Sequence, residues 1–501
     1  MKILIVYPPC RESATPILPL GLLYVAQPLI EDGHRVEFFD IALEKPTREE
    51  VIARIELENF DLMIIGGIIT TYSYIKWLTN EVKKIYPDIP ILGGGFVATP
   101  IPHIIFKNTG IDVVCNGEGD VTVREYVSAL ENNRDISNVA GLFIKSGTSF
   151  IKTSERPLVK NLDEISPPID AYKLLDIERY ITESGKARQP TLESSGLWDS
   201  CLGECRFFAV LSGRGCVGNC TFCYRMLKGL RKHSIPYVIK HIKYLVETYK
   251  INLFDFEDEL FIGNKKWTDE FCDALEESKM DVRFRISSRA DMITEDMLKK
   301  LRSVGCIYIT VGFESGSQKM LDSMKKHIRV EHNYNAYKLL EKYNMTAMGV
   351  ATILGMPGET HESIMETLKF IQDCKIESAA NYYATPYPNS EIYQYAIKEG
   401  LVRDEEKYLE WISNSDAAEF KINLTQLSDS DLKYYTFLLN DACRKNRLQG
   451  QLENHKTGKS TYFKFLIKHY GIKFLYHAGL FGVVWGLNSM IESRKRKAYK
   501  I

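Results

Sequence analysis

From residue 1 to about residue 142, short apolar runs alternate with stretches whose apolar positions recur every three or four residues. The runs at 3–6, 36–40, 62–66, 91–94 and 113–116 have the length and β-branched content of strands. Between them lie amphipathic helices; in 74–85, for example, Ile75, Leu78, Val82 and Ile85 fall on one face. Strands that alternate with helices are joined by crossovers, which produces a parallel sheet covered on both faces. The pattern therefore predicts a Rossmann-like, doubly wound α/β domain over residues 1–142.

Periodicity fades across 143–205, where Leu162-Asp163-Glu164-Ile165-Ser166-Pro167-Pro168-Ile169-Asp170 reads as a proline-bounded linker. It resumes after Tyr224. Ile235, Ile239, Ile242 and Val246 mark a helical face, and strand-like runs follow at 251–256, 282–287, 307–312, 349–354 and 379–384. With the run at 208–211 they make six strand–helix steps over 206–400, the layout of a partial (β/α)6 TIM barrel. A helical region, 401–501, is expected to follow. Within it Phe463, Leu466, Ile467, Tyr470 and Phe474 share a helical face, ahead of an apolar run at 478–487 and basic Arg494-Lys495-Arg496-Lys497. The run is too short to span a bilayer. An amphipathic segment with a basic end suits peripheral contact with an anionic membrane, and suits packing on the barrel equally.

Composition adjusts this picture only slightly. A chain of 501 residues implies two or three domains, and 45% hydrophobic with 26% charged residues is ordinary for a soluble protein. A formal net charge of −1 offers no electrostatic case for a nucleic-acid partner. The first apolar run is too short for a signal peptide, and 11 cysteines without regular spacing argue against a secreted disulfide framework. The expected compartment is the reducing cytoplasm, with membrane association through the tail as the open addition.

The chemistry concentrates in Ser212-Gly213-Arg214-Gly215-Cys216-Val217-Gly218-Asn219-Cys220-Thr221-Phe222-Cys223-Tyr224. Three thiolates at C-x3-C-x2-C spacing on a short, turning backbone suit a [4Fe–4S] cluster, and three ligands leave one iron open to an external molecule. A structural zinc site would want a fourth cysteine or histidine close by. Cys201 and Cys205 lie just upstream and read as a local pair, since two cysteines cannot close a cluster. In the first domain, Thr70, Gly93, Gly94, Gly95, Gly117 and Glu118 collect at predicted strand ends, where open α/β sheets bind ligands. Glycines there admit a bulky ligand to the backbone, or only make tight turns.

The cysteine loop, flanked by Arg214 and Tyr224, resembles the cluster-binding loop of the radical S-adenosylmethionine (radical SAM) superfamily. That resemblance implies a [4Fe–4S] cluster on Cys216, Cys220 and Cys223. Its open iron would hold SAM, whose reductive cleavage gives a 5′-deoxyadenosyl radical. The later barrel strand ends then acquire expected roles around SAM. Asp258, within Glu257-Asp258-Glu259, would take the amino group. Ser287 and Arg289 would reach the carboxylate or ribose, Glu314 the ribose hydroxyls, and the turn at Gly355 the adenine. In the first domain, Tyr7-Pro8-Pro9, Pro19-Leu20-Gly21, Gly33-His34-Arg35-Val36, Asp40 and the two glycine clusters are similar in order to the cobalamin-binding domain of many superfamily members. This implies cobalamin beside Thr70, Gly93, Gly94, Gly95, Gly117 and Glu118. The D-x-H-x-x-G signature is absent and His34 and His103 read as structural, so the cobalt would lack a histidine ligand from below.

The expectation is a cobalamin-dependent radical SAM enzyme, a methyltransferase or cyclase. It would modify an unactivated carbon of a small-molecule or lipid-like substrate, with an external reductant such as flavodoxin or ferredoxin. Two other readings stand beside it: a radical SAM oxidoreductase or cyclase that has lost cobalamin, and a non-catalytic iron–sulfur binding or sensing protein.

Overall fold

The computed structural model describes residues 1–10, 17–147, 149–198, 202–225, 228–345 and 350–454. The first sheet contains β1 (Lys2–Tyr7), β2 (Arg35–Asp40), β3 (Leu62–Gly66), β4 (Ile91–Gly94), β5 (Val113–Cys115), β6 (Leu142–Ser146) and β7 (Ser149–Lys152). Their order is β2-β1-β3-β4-β5-β6-β7, with β1 to β5 parallel as the crossover argument requires. Amphipathic helices such as Tyr72–Ile85 cover its faces, burying Ile75, Leu78 and Val82. Each such side chain contributes ~1.5–3 kcal/mol.

The sheet runs further than the sequence pattern indicates. β6 and β7 form an antiparallel hairpin on the β5 edge, so residues expected in the linker complete the first sheet. β7 is mostly exposed, and an exposed edge strand lacks the apolar run that marks a buried one. The remaining linker is also structured. It holds a helix, Ile177–Ser194, with Gly185 and Pro190 in its interior. Those two residues mask its period. Gly185 is obligatory, because a Cβ there would overlap the Cys205 carbonyl.

The second sheet contains β8 (Phe207–Val210), β11 (Leu253–Phe256), β12 (Arg283–Arg289), β13 (Cys306–Glu314), β14 (Val350–Leu354) and β15 (Ala379–Tyr383). All six are parallel in the order β15-β14-β13-β12-β11-β8, a partial barrel in which β8 and β15 remain edges. Outward residues such as Phe254, Phe256, Phe284, Val311 and Phe313 build the helix-facing core. Leu192, Leu197 and Trp198, from the end of helix Ile177–Ser194 and the turn after it, pack with Phe207, Leu253, Ile307 and Tyr308. These are residues of the strands' amino ends, so this segment plugs the bottom of the barrel.

Two further short strands, β9 (Gly213–Arg214) and β10 (Arg231–Lys232), pair antiparallel and clamp the ends of the cysteine segment. Helices Glu391–Lys398 and Glu405–Ile412 join the apolar core on one face of the first sheet. Lys76 bonds Glu406 at 2.6 Å and Glu410 at 2.8 Å across that contact. The last described helix, Asp429–Asn454, buries Leu432 and Leu439 and bonds β15 through Asn440 and Asn381 at 2.9 Å. The amphipathic stretch expected over 463–497 lies outside the described residues. Among the described residues, no helix is long and apolar enough to cross a membrane.

Candidate active site

The cysteine loop leaves the carboxyl end of β8 and is held from below by one carboxylate. Asp258 accepts from the Ser212 amide at 2.7 Å, the Gly213 amide at 3.2 Å and the Ser212 hydroxyl, and pairs with Lys232 Nζ at 2.6 Å. Gly215 then turns with φ +84°, where a Cβ would overlap the Gly229 carbonyl. Only glycine fits that turn. The Gly218 amide donates to Cys216 Sγ at 3.3 Å. A Cβ on Gly218 would stand 3.5 Å from Cys216 Sγ, 3.7 Å from Cys220 Sγ and 3.4 Å from Arg289 Nη1. The missing side chain thus leaves a small space toward which two sulfurs and a guanidinium nitrogen converge. Among the described residues, no three His, Cys, Asp or Glu side chains are arranged to share a single metal ion.

This geometry gives Asp258 partners within the protein. Its side chain is 1% exposed and its oxygens are engaged by four protein donors, so it is a strut that braces the loop from below. The neighbouring Glu259 faces the loop instead. It accepts from the Gly215 backbone, and burial raises its carboxyl above the usual range. In sequence the three consecutive acids look alike; the turn after β11 separates them.

The other expected SAM contacts do gather at the carboxyl ends. Ser287 Oγ donates to the Asp258 carbonyl at 2.7 Å, fixing the turn above β11. Arg289 is held by Asp291 at 3.0 Å and by the Lys326 carbonyl at 2.7 Å, which leaves Nη1 on the side of the cysteine loop. Glu314 has φ +61°, a strained setting for a residue with a Cβ. Its carboxylate folds over Gly312, where a Cβ would overlap it, and pairs with buried Lys326 at 2.6 Å. Gly355, at φ +85°, donates its amide to buried Glu359, whose carboxyl burial pushes up to about 7.

The first sheet presents its own carboxyl edge. Thr70 Oγ1 is buried with no hydrogen-bond partner among the described residues. Beyond Gly94 and Gly117 there is room: a Cβ on Gly117 would meet nothing within 4 Å, and one on Gly94 only Cys115 Cβ at 3.8 Å. Gly95 turns at φ +74° against the Gly67 carbonyl. Gly93 does not belong to this open edge, because Ile111 fills the space beside it at 2.8 Å. Glu118 is held by partners within the protein as well. It pairs with Arg214 at 3.1 Å and Arg231 at 2.8 Å, and Asp120 takes the far side of Arg214 at 2.7 Å. Burial alone would raise the Glu118 carboxyl, but Arg231 and Arg214 bring it below the usual range. This latch joins the first sheet to the β9–β10 clamp. Beside it, Phe96 meets Tyr224 edge-on at 4.6 Å, and the buried Tyr224 hydroxyl has no hydrogen-bond partner among the described residues. His34 bonds the chain's amino terminus at 3.3 Å at the opposite end of β2, and the exposed His103 faces Glu405 at 3.7 Å. Of the upstream pair, Cys201 lies outside the described residues and Cys205 is buried.

Sequence reasoning missed Lys232, Lys326, Arg231 and Asp120. Only the last carried a signal, an acid directly after a glycine cluster. The donor sets fit the implied groups: converging thiolates beside Arg289 for an iron–sulfur cluster, and a glycine edge with two orphaned hydroxyls for a large ligand between the sheets.

Comparison with known proteins agrees with this arrangement. Residues 210–371 match the Radical SAM superfamily, and residues 9–127 match the B12 binding domain. An uncharacterized methyltransferase of Pyrococcus horikoshii is 31% identical over 413 residues, covering 80% of this chain and 84% of that protein. An anaerobic magnesium-protoporphyrin IX monomethyl ester cyclase of Synechocystis is 25% identical, covering 80% and 79%. The fold is similar to that of the radical SAM methyltransferase TsrM from Kitasatospora setae with cobalamin and a [4Fe–4S] cluster bound. The TM-score is 0.64 at 16% identity, over 80% of this chain and 75% of that one. A [4Fe–4S] cluster, SAM and cobalamin are accordingly the cofactors of this enzyme. The chain belongs to the radical SAM superfamily, in the branch that carries a B12-binding domain.

Proposed function

We propose that this enzyme transfers a methyl group to an unactivated carbon of a small-molecule substrate, drawing electrons from an external reductant. When bound, cluster and SAM would supply a carbon-centred radical and cobalamin a transferable methyl group. Cys216, Cys220 and Cys223 would hold the cluster. Arg289 Nη1 and Glu259, both beside the loop, offer a cation for the SAM carboxylate and an acceptor for its amino group. Ser287 and Glu314 would contact ribose and the Gly355 turn adenine. Thr70, with the backbone of Gly94, Gly95 and Gly117, would receive the corrin edge. The latch of Glu118, Asp120, Arg214 and Arg231 would keep the two sheets at fixed separation and exclude water between them.

The observation that carries this reading is the opposition of two carboxyl-end surfaces, the glycine edge of the first sheet and the cysteine loop of the second, touching at Phe96 and Tyr224. Methyl transfer is preferred because a relative 31% identical over 80% of the chain is named a methyltransferase. Ring closure is the second reading, favoured by relatives named cyclases that match about as much of the chain. Methyl-deuterated SAM tests the choice. Deuterated methyl in a product, with cobalamin retained through purification, supports transfer; retained cobalamin with product lacking the label supports cyclisation.

A further inference from the structure

The inner face of the barrel sheet has two unlike walls. On β13, β14 and β15 the inward positions Thr310, Gly312, Ala351 and Ala380 are small and stay partly uncovered, with the larger Ile353 and Tyr382 paired nearer the carboxyl ends, while outward Val311, Phe313 and Val350 are buried. Small side chains there leave a chamber. On β11 and β12 and the turn above β11, the wall is charged, with Asp255, Glu257, Arg285, Ser287 and Arg289. Register sets Asp255 beside Arg285 and Arg285 beside Tyr308. Below this layer lies the plug of Leu192, Leu197 and Trp198, so the chamber is closed at its floor and open toward the cysteine loop.

The charges near the floor, Arg188 and Arg285 against Asp255 and Glu257, balance in number but not in hydrogen bonding. Arg285 pairs with Asp255 and, at 3.2 Å, with Glu257, yet among the described residues its buried Nε has no hydrogen-bond partner. Arg188, from helix Ile177–Ser194, stacks on Phe207 at 3.7 Å and, among the described residues, donates only to the Ser184 carbonyl, at 3.1 Å. Among the described residues no carboxylate lies within 4.0 Å of it. Glu257 is 48% exposed, and burial by the surrounding wall still raises its carboxyl. A side chain both exposed and enclosed lines a concavity. Glu257 acts on Arg188 electrostatically without reaching it, so both half-buried guanidinium groups keep donors that an oxyanion would satisfy.

We propose that Arg188 and the free Nε of Arg285 bind an anionic group of the substrate, a carboxylate or phosphate, at the chamber floor. The planar fork of arginine suits such oxyanions, and Phe207 holds one fork in place. The proposal rests on the radical-enzyme reading for the identity of the chamber. It adds a length as well. Arg285 and Arg289 are four residues apart on one strand, roughly 13 Å at strand rise. The substrate is therefore a molecule whose reacting carbon lies on the order of 10 Å from its anionic end.

The test uses the anaerobically reconstituted full chain with SAM, titrated calorimetrically with 4-phenylbutyrate, 4-phenylbutyl phosphate and methyl 4-phenylbutyrate. At least one anion should bind about tenfold more tightly than the ester. Preference between the two anions assigns carboxylate or phosphate. Arg188→Met should erase the difference, and Arg188→Lys, which keeps the charge, should retain part of it. Equal binding of the ester, survival of the preference in Arg188→Met, or no binding by either anion up to about 20 mM overturns the proposal. 5′-Deoxyadenosine formation by the unaltered protein, measured in the same preparation, reports separately on the radical-enzyme reading.

Discussion

Substituting Asp258 by Asn isolates what holds the cysteine loop. Asparagine keeps the shape but removes the charge that buried Lys232 faces at 2.6 Å, and it turns one acceptor into a donor among the Ser212 and Gly213 amides. Breaking a buried pair by removing one member costs ~3–5 kcal/mol. Lys232 retains partial compensation from Phe261 and Trp267, each with its ring centroid 4.6 Å away, worth ~1–2 kcal/mol. Burial already lowers the Lys232 pKa even beside Asp258, so the lysine can also shed its proton. The net loss should be about 3 kcal/mol. Thermal unfolding and iron and sulfide content of wild type, Asp258→Asn, Lys232→Met and the double variant form the cycle that measures the coupling. Each single variant should lose stability and cluster content; the double should recover at least half of the loss, with SAM affinity close to that of wild type. A single variant within ~0.5 kcal/mol of wild type, or a double that sums the two losses, would refute the strut. A double that recovers stability but loses SAM binding would return Asp258 to the role of SAM ligand.

Thr70→Val removes the orphaned hydroxyl while keeping the shape; stability should hold or rise slightly, whereas cobalamin retention by dialysis should fall about tenfold if the hydroxyl faces the corrin. Glu118→Gln weakens the latch of Arg214 and Arg231, so the melting temperature should drop by the equivalent of ~2–3 kcal/mol, and an unchanged value would refute the latch. Glu359 gives a pH signature. Its folded pKa of about 7 exceeds the model-compound 4.5, so the folded state keeps a proton that the unfolded chain releases, and stability falls as pH rises through that window. Relative to wild type, Glu359→Gln should gain up to about 3 kcal/mol between about pH 5 and pH 8 in thermal scans; a gap that does not widen with pH contradicts a buried, protonated Glu359.

Much of this architecture is legible in the sequence because buried parallel strands are unbroken apolar runs. Both sheets come from that signal, and the cysteine loop from the spacing of its three thiols. What escapes it has physical reasons. The β6–β7 hairpin sits at an exposed edge, and the plug helix is disguised by Gly185, whose lack of a side chain serves a contact with Cys205. Site residues divide in the same way. Cysteine spacing is local and readable, whereas Glu118 and Asp258 owe their roles to basic partners far along the chain. Arg214 lies 96 residues from Glu118, and Lys232 lies 26 from Asp258. Sequence could identify both acids as belonging to the site, but not the basic partners that hold them there.

The most direct test of the central claim is the fate of SAM. The anaerobically reconstituted enzyme, given SAM and a low-potential reductant, should form 5′-deoxyadenosine, and Cys216→Ala, Cys220→Ala and Cys223→Ala should each abolish it. A preparation with full iron and sulfide and bound SAM that forms none would contradict the assignment of radical chemistry to this loop.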